Sequence, residues 1–481
     1  MFSNGVASGQ PTQNGFCLWT RVDSNLSIID MTLLIADNQQ FDNAMSIIIN
    51  HNKIKEENDN CVTVPITGLQ AGTTYYYKFI YDGNESRIGK AKTLPTNFPI
   101  KIGLFTCQHF STGVYGVFDY AATQDFDFCI LNGDIIYENK EEIELPGREI
   151  SLPSGGTYAL DLADYRYLYA RYRSDESFQN FLANQTIIVR FDDHEIANDW
   201  YFDANINSIN SPTHPYGDDP VLMTQLKADA MKAFSEWLPI QQITAYYYFD
   251  ISQYMRVFML DERDWRKPHA CGLAYKQRVY VPPCPQSYST SQTLLGFPQR
   301  GWLVNSIQNS PCQYNIIVSP TLLSRFFVPG PVGEGPRIAK TDSGTGYMGE
   351  TAFIATNIGN KKIVILSGDL HASSIGYFLR YPDLEKTGIE IMTPAASSKT
   401  IGEELWDKIG LSEETEEAII KAVNPQTFEM FNSYKNGFVG ITFNADNIVV
   451  IFNYIDRLTG QFTSNKTFII DSGYNIIPGN P

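Results

Sequence analysis

Thr186-Ile-Ile-Val-Arg-Phe-Asp-Asp-His-Glu195 opens as a short β-branched run and ends on four consecutive ionisable side chains. Its first half suits a strand buried on both faces, because no polar alternation gives it a wet side. Ionisable groups packed directly behind such a strand repel one another and demand solvation unless cations balance them. The same layout recurs along the chain. Ile100–Thr106 runs into Cys107, Phe128–Asn132 into Gly133-Asp134, and Lys362–Ser367 into Gly368-Asp369-Leu370-His371. Helical segments are expected between these runs, over Val114–Thr123, Leu160–Arg173, Val221–Trp237 and Gly301–Asn309. Strands alternating with helices predict a layered α/β domain from Asn97 to about Asn444. In open α/β sheets, sites assemble at the C-terminal ends of the strands.

The flanks read differently. Phe16–Thr20, Met31–Ile35, Cys61–Ile66 and Tyr75–Tyr81 are short apolar or aromatic runs set between turn residues. They predict a β-sandwich of about a hundred residues. Leu69-Gln-Ala-Gly-Thr-Thr-Tyr75 resembles the corner between two strands of fibronectin type III domains, although a plain turn and strand would read the same way. Lys92–Pro99 is the expected linker, dividing the chain into an N-terminal sandwich over 1–96 and a catalytic domain with its C-terminal extension over 97–481. Past the core, Ile401–Val423 reads as a charged helix. Gly437–Phe443, Ile448–Tyr454 and Gln461–Ile470 read as strands closing one side of the core sheet.

With 481 residues, 43% hydrophobic and 19% charged, the composition is that of a globular protein rather than a disordered one. Its apolar runs are too short to cross a bilayer, so no transmembrane segment is expected. The net charge of −17 repels nucleic-acid backbone, and no nucleic-acid partner is expected. An acidic protein can still handle phosphate esters when bound cations reverse the sign locally. The seven cysteines include no C-x-x-C pair, and a Cys271–Cys284 disulfide is open to an oxidising compartment without being required by the spacing. Met1–Gly9 lacks a basic stretch followed by an apolar run, which fits either a cytoplasmic protein or one whose targeting peptide has been removed.

Hydrolysis of a phosphate ester needs charge neutralised on the phosphoryl oxygens and a hydroxide made at neutral pH, and two adjacent ions can supply both. Such a site takes carboxylate, imidazole or thiolate from several strand ends, with one carboxylate bridging. Gly133-Asp134 suits the bridging role, since glycine allows close backbone approach, although Gly-Asp after a strand is also a common turn. Asp369 and His371, two apart, share a face if extended.

The order Gly-Asp, Asp-Asp-His-Glu, Gly-Asp-x-His resembles the metallophosphoesterases of the calcineurin-like superfamily, and within it the alkaline phosphatase D (PhoD-like) family. Gly5-Val-Ala-Ser-Gly-Gln-Pro-Thr12, Leu18-Trp-Thr-Arg21, Asn132-Gly-Asp-Ile-Ile-Tyr-Glu138 and Asp164-Tyr-Arg-Tyr-Leu-Tyr-Ala-Arg171 support it. So do Leu260-Asp-Glu-Arg263, Leu295-Gly-Phe-Pro-Gln-Arg-Gly-Trp-Leu303 and Thr393-Pro-Ala-Ala-Ser397. The resemblance runs from about Gly5 to about Phe378, and beyond that only the Thr393–Ser397 stretch is similar. It implies a four-layer αββα metallophosphoesterase core behind a fibronectin- or Ig-like sandwich, acting on phosphate mono- or diesters, phospholipid and polymer diesters included, by attack of a metal-bound hydroxide.

The resemblance also implies a ligand set. Cys107, Asp134 and Tyr137 would hold Fe3+, for which thiolate, phenolate and carboxylate are fitting anions. Asp193 and Asp369 would serve Ca2+ as hard oxygen donors, and His371 would complete the iron side or lie just behind it. His194 would face the substrate as a leaving-group acid or oxyanion stabiliser, or else brace Asp193. Arg166 and Arg263 are candidate phosphate clamps, because guanidinium pairs bidentately with phosphate oxygens, and Asn198 is a substrate-binding candidate. Cys107 and Tyr137 have plain core roles as alternatives, Arg166 a surface one, and His109 is expected to be solvated. Members of the family are often exported, which favours a periplasmic or secreted location.

Departures from the family pattern are Gly9-Gln10-Pro11, Ile135 after Gly133-Asp134, and Asp261-Glu262-Arg263. Thr321–Gly349 matches poorly, and within it Phe326–Met348 is expected to be a loop shaping substrate access. Two other functions compete. One is a binding protein that keeps its metal core for stability, against which the intact ligand set speaks. The other is a redox iron protein, for which the hard ligands Asp193 and Asp369 would be superfluous.

Overall fold

The apolar runs become strands of two stacked sheets in the computed structural model, which describes residues 1–23, 28–140, 143–272, 279–406 and 410–479. Ile100–Phe105, Phe128–Asn132 and Thr186–Arg190 lie parallel at the centre of a ten-stranded sheet, where Ile130 sits opposite both Leu104 and Ile188. A seven-stranded sheet faces it, with Met255–Met259, Tyr314–Val318, Ile363–Ser367 and Glu385–Met392 as parallel neighbours. The period of two assigns each side chain its layer. Val257 and Met259 meet Ile102, Leu104, Ile188 and Val364 between the sheets, whereas Phe258 and Leu260 turn outward to Leu303, Ile307 and Ile354.

Helices cover both outer faces. Gly116–Ala122, Leu162–Tyr172, Glu176–Asn184 and Pro220–Trp237 pack Phe118, Tyr165, Phe181 and Trp237 on the larger sheet, and Gly296–Gln308 and Met348–Asn357 cover the smaller. The order helix, sheet, sheet, helix is the expected four-layer αββα core. Helix starts follow side-chain caps. Asp161 accepts from Asp164 N, Asp175 from Ser177 N and Phe178 N, and Asp219 from Val221 N and Leu222 N. Burying an aliphatic or aromatic side chain contributes about 1.5–3 kcal/mol, so these layers fix the strand ends despite the acid crowd that follows them.

Three expectations change. The sandwich is present, with Leu18, Leu33, Tyr77 and Phe79 in its core, but one of its sheets belongs to the core sheet as well. Val6–Thr12 pairs in parallel with Thr186–Arg190, Ser8 opposite Thr186 and Gly9 opposite Ile187. The charged stretch Ile401–Val423 is not one helix. A π-helical turn at Gly402–Trp406 precedes a separate helix over Glu413–Val423, with residues 407–409 outside the described ones. Phe326–Met348 is not a plain loop either. Phe327–Val328 and Arg337–Lys340 pair with each other, Val279–Val281 joins them, and a 3-10 turn follows over Gly344–Tyr347. Cys271 and Cys284 are disulfide-bonded with Cα atoms 5.8 Å apart, within the reach of such a bond. Among the described residues, no helix is long and apolar enough to cross a membrane.

Candidate active site

At the C-terminal ends of Ile100–Phe105, Phe128–Asn132 and Ile363–Ser367 the backbone turns sharply. Cys107, Asp134, Asp369 and His371 take left-handed φ values of 54°, 54°, 65° and 54°. A non-glycine residue rarely adopts this region, at a cost of about 1–3 kcal/mol each, and such strain clusters at functional sites. Gly133, with φ 87°, makes a close approach possible, since a Cβ there would lie 2.5 Å from that of Asp192.

On one side, Cys107 Sγ donates to Asp134 Oδ2 at 3.3 Å, and the Tyr137 hydroxyl donates to the same oxygen at 3.2 Å. His371 Nε2 lies 3.2 Å from that hydroxyl. Its Nδ1 is 2.6 Å from the Lys399 carbonyl, which must accept, so the Nε2 lone pair turns into the site. Ligand atoms of Cys107, Asp134 and His371 all lie within 4.8 Å of one another. Burial pushes the Cys107 thiol well above its ordinary value, and Asp134 and Asp369 add to this. A cation is what would turn it into a thiolate.

The other side is made of carboxylates. Asp134, Asp192, Asp193 and Asp369 converge within 4.8 Å, as do Asp193, Asp199 and Asp342. Asp134 belongs to both sides. It is buried, burial raises its carboxyl well above the usual range, and among the described residues its Oδ1 has no hydrogen-bond partner. Burial also pushes Asp192 and Glu195 up to about 7. Asp193 goes the other way: burial is outweighed by Arg263, His194 and Lys340, which hold its carboxyl below the usual range.

Arg263 is not placed as a phosphate clamp. Its guanidinium is wholly buried, donating to Asp192 and lying 3.3 Å from Asp193, 3.7 Å from Asp342 and 3.9 Å from Asp369. It braces the carboxylates from behind. Arg166 is outside the cluster altogether, in a bidentate pair with Glu236 at 2.7 Å and donating to the Glu57 carbonyl. Its helix presents it to the sandwich, a placement that charge alone could not reveal.

His194 stacks on Tyr137, ring centroids 4.0 Å apart, and its Nδ1 is 2.7 Å from Glu138 Oε2. Burial alone would lower its value, but Glu138, Asp134 and Asp193 outweigh burial and keep the imidazole protonated well above its ordinary range. Glu138 Oε1 accepts from Asn198 N, so one buried carboxylate orients both residues. Glu138 stands inside the Asn132–Glu138 motif, but its pairing with a histidine 56 residues away leaves no local signal in the sequence. Asn198 Nδ2 bonds Thr213 Oγ1 at 3.3 Å on the wall of a cleft of about 750 Å³. Asp134, Tyr137, His194, Lys340, Asp369 and His371 line the same cleft. His109, expected to be solvated, is buried with its ring 4.4 Å from that of Tyr137.

Glu262 fixes the loop that carries Arg263, accepting from Thr321 N at 3.0 Å and from the Ser319 and Thr321 hydroxyls. Burial lifts its carboxyl from 4.5 to about 7. Between those values the folded protein keeps a proton that the unfolded chain has released, so stability falls as pH rises through the window. Glu262→Gln removes that difference. The slope of stability against pH between 4.5 and 7 should flatten by up to about 1.4 kcal/mol per pH unit, read from denaturant melts at several pH values.

The family model described as PhoD-like phosphatase matches residues 102–452, and that of the PhoD-like phosphatase N-terminal domain matches residues 1–95. Alkaline phosphatase D of Bacillus subtilis (strain 168) is 27% identical over 470 residues, spanning 92% of this chain and 75% of that protein. A solved structure of PhoD superposes with a TM-score of 0.81 at 21% identity, covering all of this chain and 92% of the other. A purple acid phosphatase from yellow lupin (Lupinus luteus) seeds shares the fold at a TM-score of 0.56 and 12% identity, over 96% of this chain and 73% of its own. With both family models matched in order along the chain and thiol, phenol, imidazole and carboxylates gathered at the strand ends, this chain belongs to the PhoD-like phosphatases, metal-dependent enzymes that hydrolyse phosphate esters.

Proposed function

We propose that Cys107, Asp134, Tyr137 and His371 hold Fe3+, that Asp134, Asp193 and Asp369 hold Ca2+ beside it, and that the enzyme cleaves phosphate diesters as well as monoesters. The supporting observation is Asp134, a buried carboxylate common to both groups of donors, with one oxygen lacking a partner among the described residues. Leaving such an oxygen unmatched is costly, and cations remove the cost. Thiolate and phenolate match a trivalent ion, and oxygen donors a hard divalent one. When bound, the ions neutralise the phosphoryl oxygens and acidify a water enough to supply the nucleophile.

The remaining work falls to side chains of the chain itself. Arg263 keeps Asp192 and Asp193 in register. His194, oriented by Glu138, offers its Nε2 proton to the departing ester oxygen or hydrogen-bonds a phosphoryl oxygen. Asn198 holds a substrate oxygen on the cleft wall. The cleft volume of about 750 Å³ leaves room for two ester substituents, which supports diesters. The residues from 97 onward carry this chemistry, and 1–96 form the sandwich unit. The Cys271–Cys284 disulfide supports an exported location.

Elemental analysis of purified protein, paired with hydrolysis of 4-nitrophenyl phosphate and its bis-ester with and without chelator, tests the reading. Iron with calcium and chelator-sensitive turnover are expected, and full activity in metal-free protein would overturn it.

A further inference from the structure

Lys340 closes the strand Arg337–Lys340. Its Nζ lies 2.8 Å from both carboxylate oxygens of Asp369 and 3.2 Å from Asp342 Oδ2. The geometry points to Lys340 as a tethered cation that shares Asp369 with the divalent ion, the two exchanging places on the same oxygens. The inference rests on the proposed reading of Asp369 as a ligand.

The argument is one of space and charge. Calcium sits about 2.3–2.6 Å from its oxygen donors. An ion on Asp369 would therefore stand within about 4–5 Å of an ammonium already contacting both of its oxygens, where like charges repel. Arg263, buried behind the same carboxylates, has no route out. Lys340 has one, because its side chain is 17% exposed and lines the cleft, and four methylenes let the ammonium swing. Before the ion binds, the lysine compensates the carboxylates. Afterwards it stands in the cleft, where phosphate oxygens are its natural partners. A site built in this way holds calcium more weakly than its carboxylate count suggests.

The test is calorimetric titration of chelator-treated full-length protein with CaCl2, comparing wild type with Lys340→Met, Lys340→Gln and Lys340→Arg. Removing the charge should tighten Ca2+ binding by about tenfold or more, whereas Lys340→Arg should bind as wild type does. The calcium-induced rise in melting temperature should grow in parallel for the Met and Gln variants, because the uncompensated carboxylates then depend on the ion. Unchanged or weaker binding in the Met and Gln variants overturns the proposal. Asp369→Asn separates it from the reading beneath it. If that variant abolishes calcium binding while the lysine variants leave it unchanged, only the exchange fails. If Asp369→Asn binds calcium normally, or no protein binds it at all, the ligand assignment fails as well.

Discussion

Asp134→Asn should lower kcat/KM by about 10³-fold or more and leave the purified protein depleted of both metals. The substitution keeps the shape and an oxygen able to accept from Cys107 and Tyr137, both of which donate to Oδ2. What it removes is the one negative charge common to the two groups of donors. A charge at that position acts through low-dielectric surroundings, where losing a single electrostatic stabiliser already costs about 10²–10³; losing the ions costs more. Stability should move the other way. Burial holds the Asp134 carboxyl well above its ordinary range, so the metal-free wild type carries a group that is costly to ionise. The metal-free variant should melt at the same temperature or higher at pH 8. Kinetics, elemental analysis and melting on one preparation separate a lost centre from a lost fold, and a variant retaining both metals with full turnover would refute the bridging role.

Glu138→Gln should lower turnover of diesters with alkyl leaving groups by about 10²-fold, the usual worth of a positioned general acid, and that of nitrophenyl esters far less. A nitrophenolate departs without a proton, whereas an alkoxide does not. Glu138 sets the orientation of His194 through the 2.7 Å contact at Nδ1 and fixes the Asn198 backbone through its other oxygen. His194→Ala should show the same selectivity, and the double variant should lose little beyond either single one, because residues acting as a unit are not additive. An equal loss for both leaving-group classes would argue instead for binding or folding.

What was legible in the sequence is what short-range pattern can carry. Cys107, Asp134 and Asp193 follow buried aliphatic runs that lie side by side in one sheet, while Asp369 and His371 follow a run of the facing sheet and meet them through the stacking of the two sheets. Tyr137 and His194 came with the same motifs. Sequence alone does not place Arg166 and Arg263, because a guanidinium reads the same whether it meets phosphate or carboxylate, and only the fold supplies Glu236 and Asp192. The approach of Lys340 to Asp369 leaves no such pattern, because it depends on a small three-stranded sheet whose strands are two to four residues long. Segments that short leave almost no periodicity to detect.

The parallel pairing of Val6–Thr12 with Thr186–Arg190 bears on how the two parts of the chain can diverge. The strand that delivers Asp192 and Asp193 takes its outer neighbour from the first dozen residues, so the sandwich is a bookend to the catalytic sheet rather than a passenger beside it. Evolution is constrained at the far sheet as well, because Lys92, in its strand Gly89–Lys92, donates its backbone N–H to Thr186 Oγ1. It cannot exchange the near one between relatives without re-registering the strand behind the Asp-Asp-His-Glu run, and so the two halves are bound to drift as a pair.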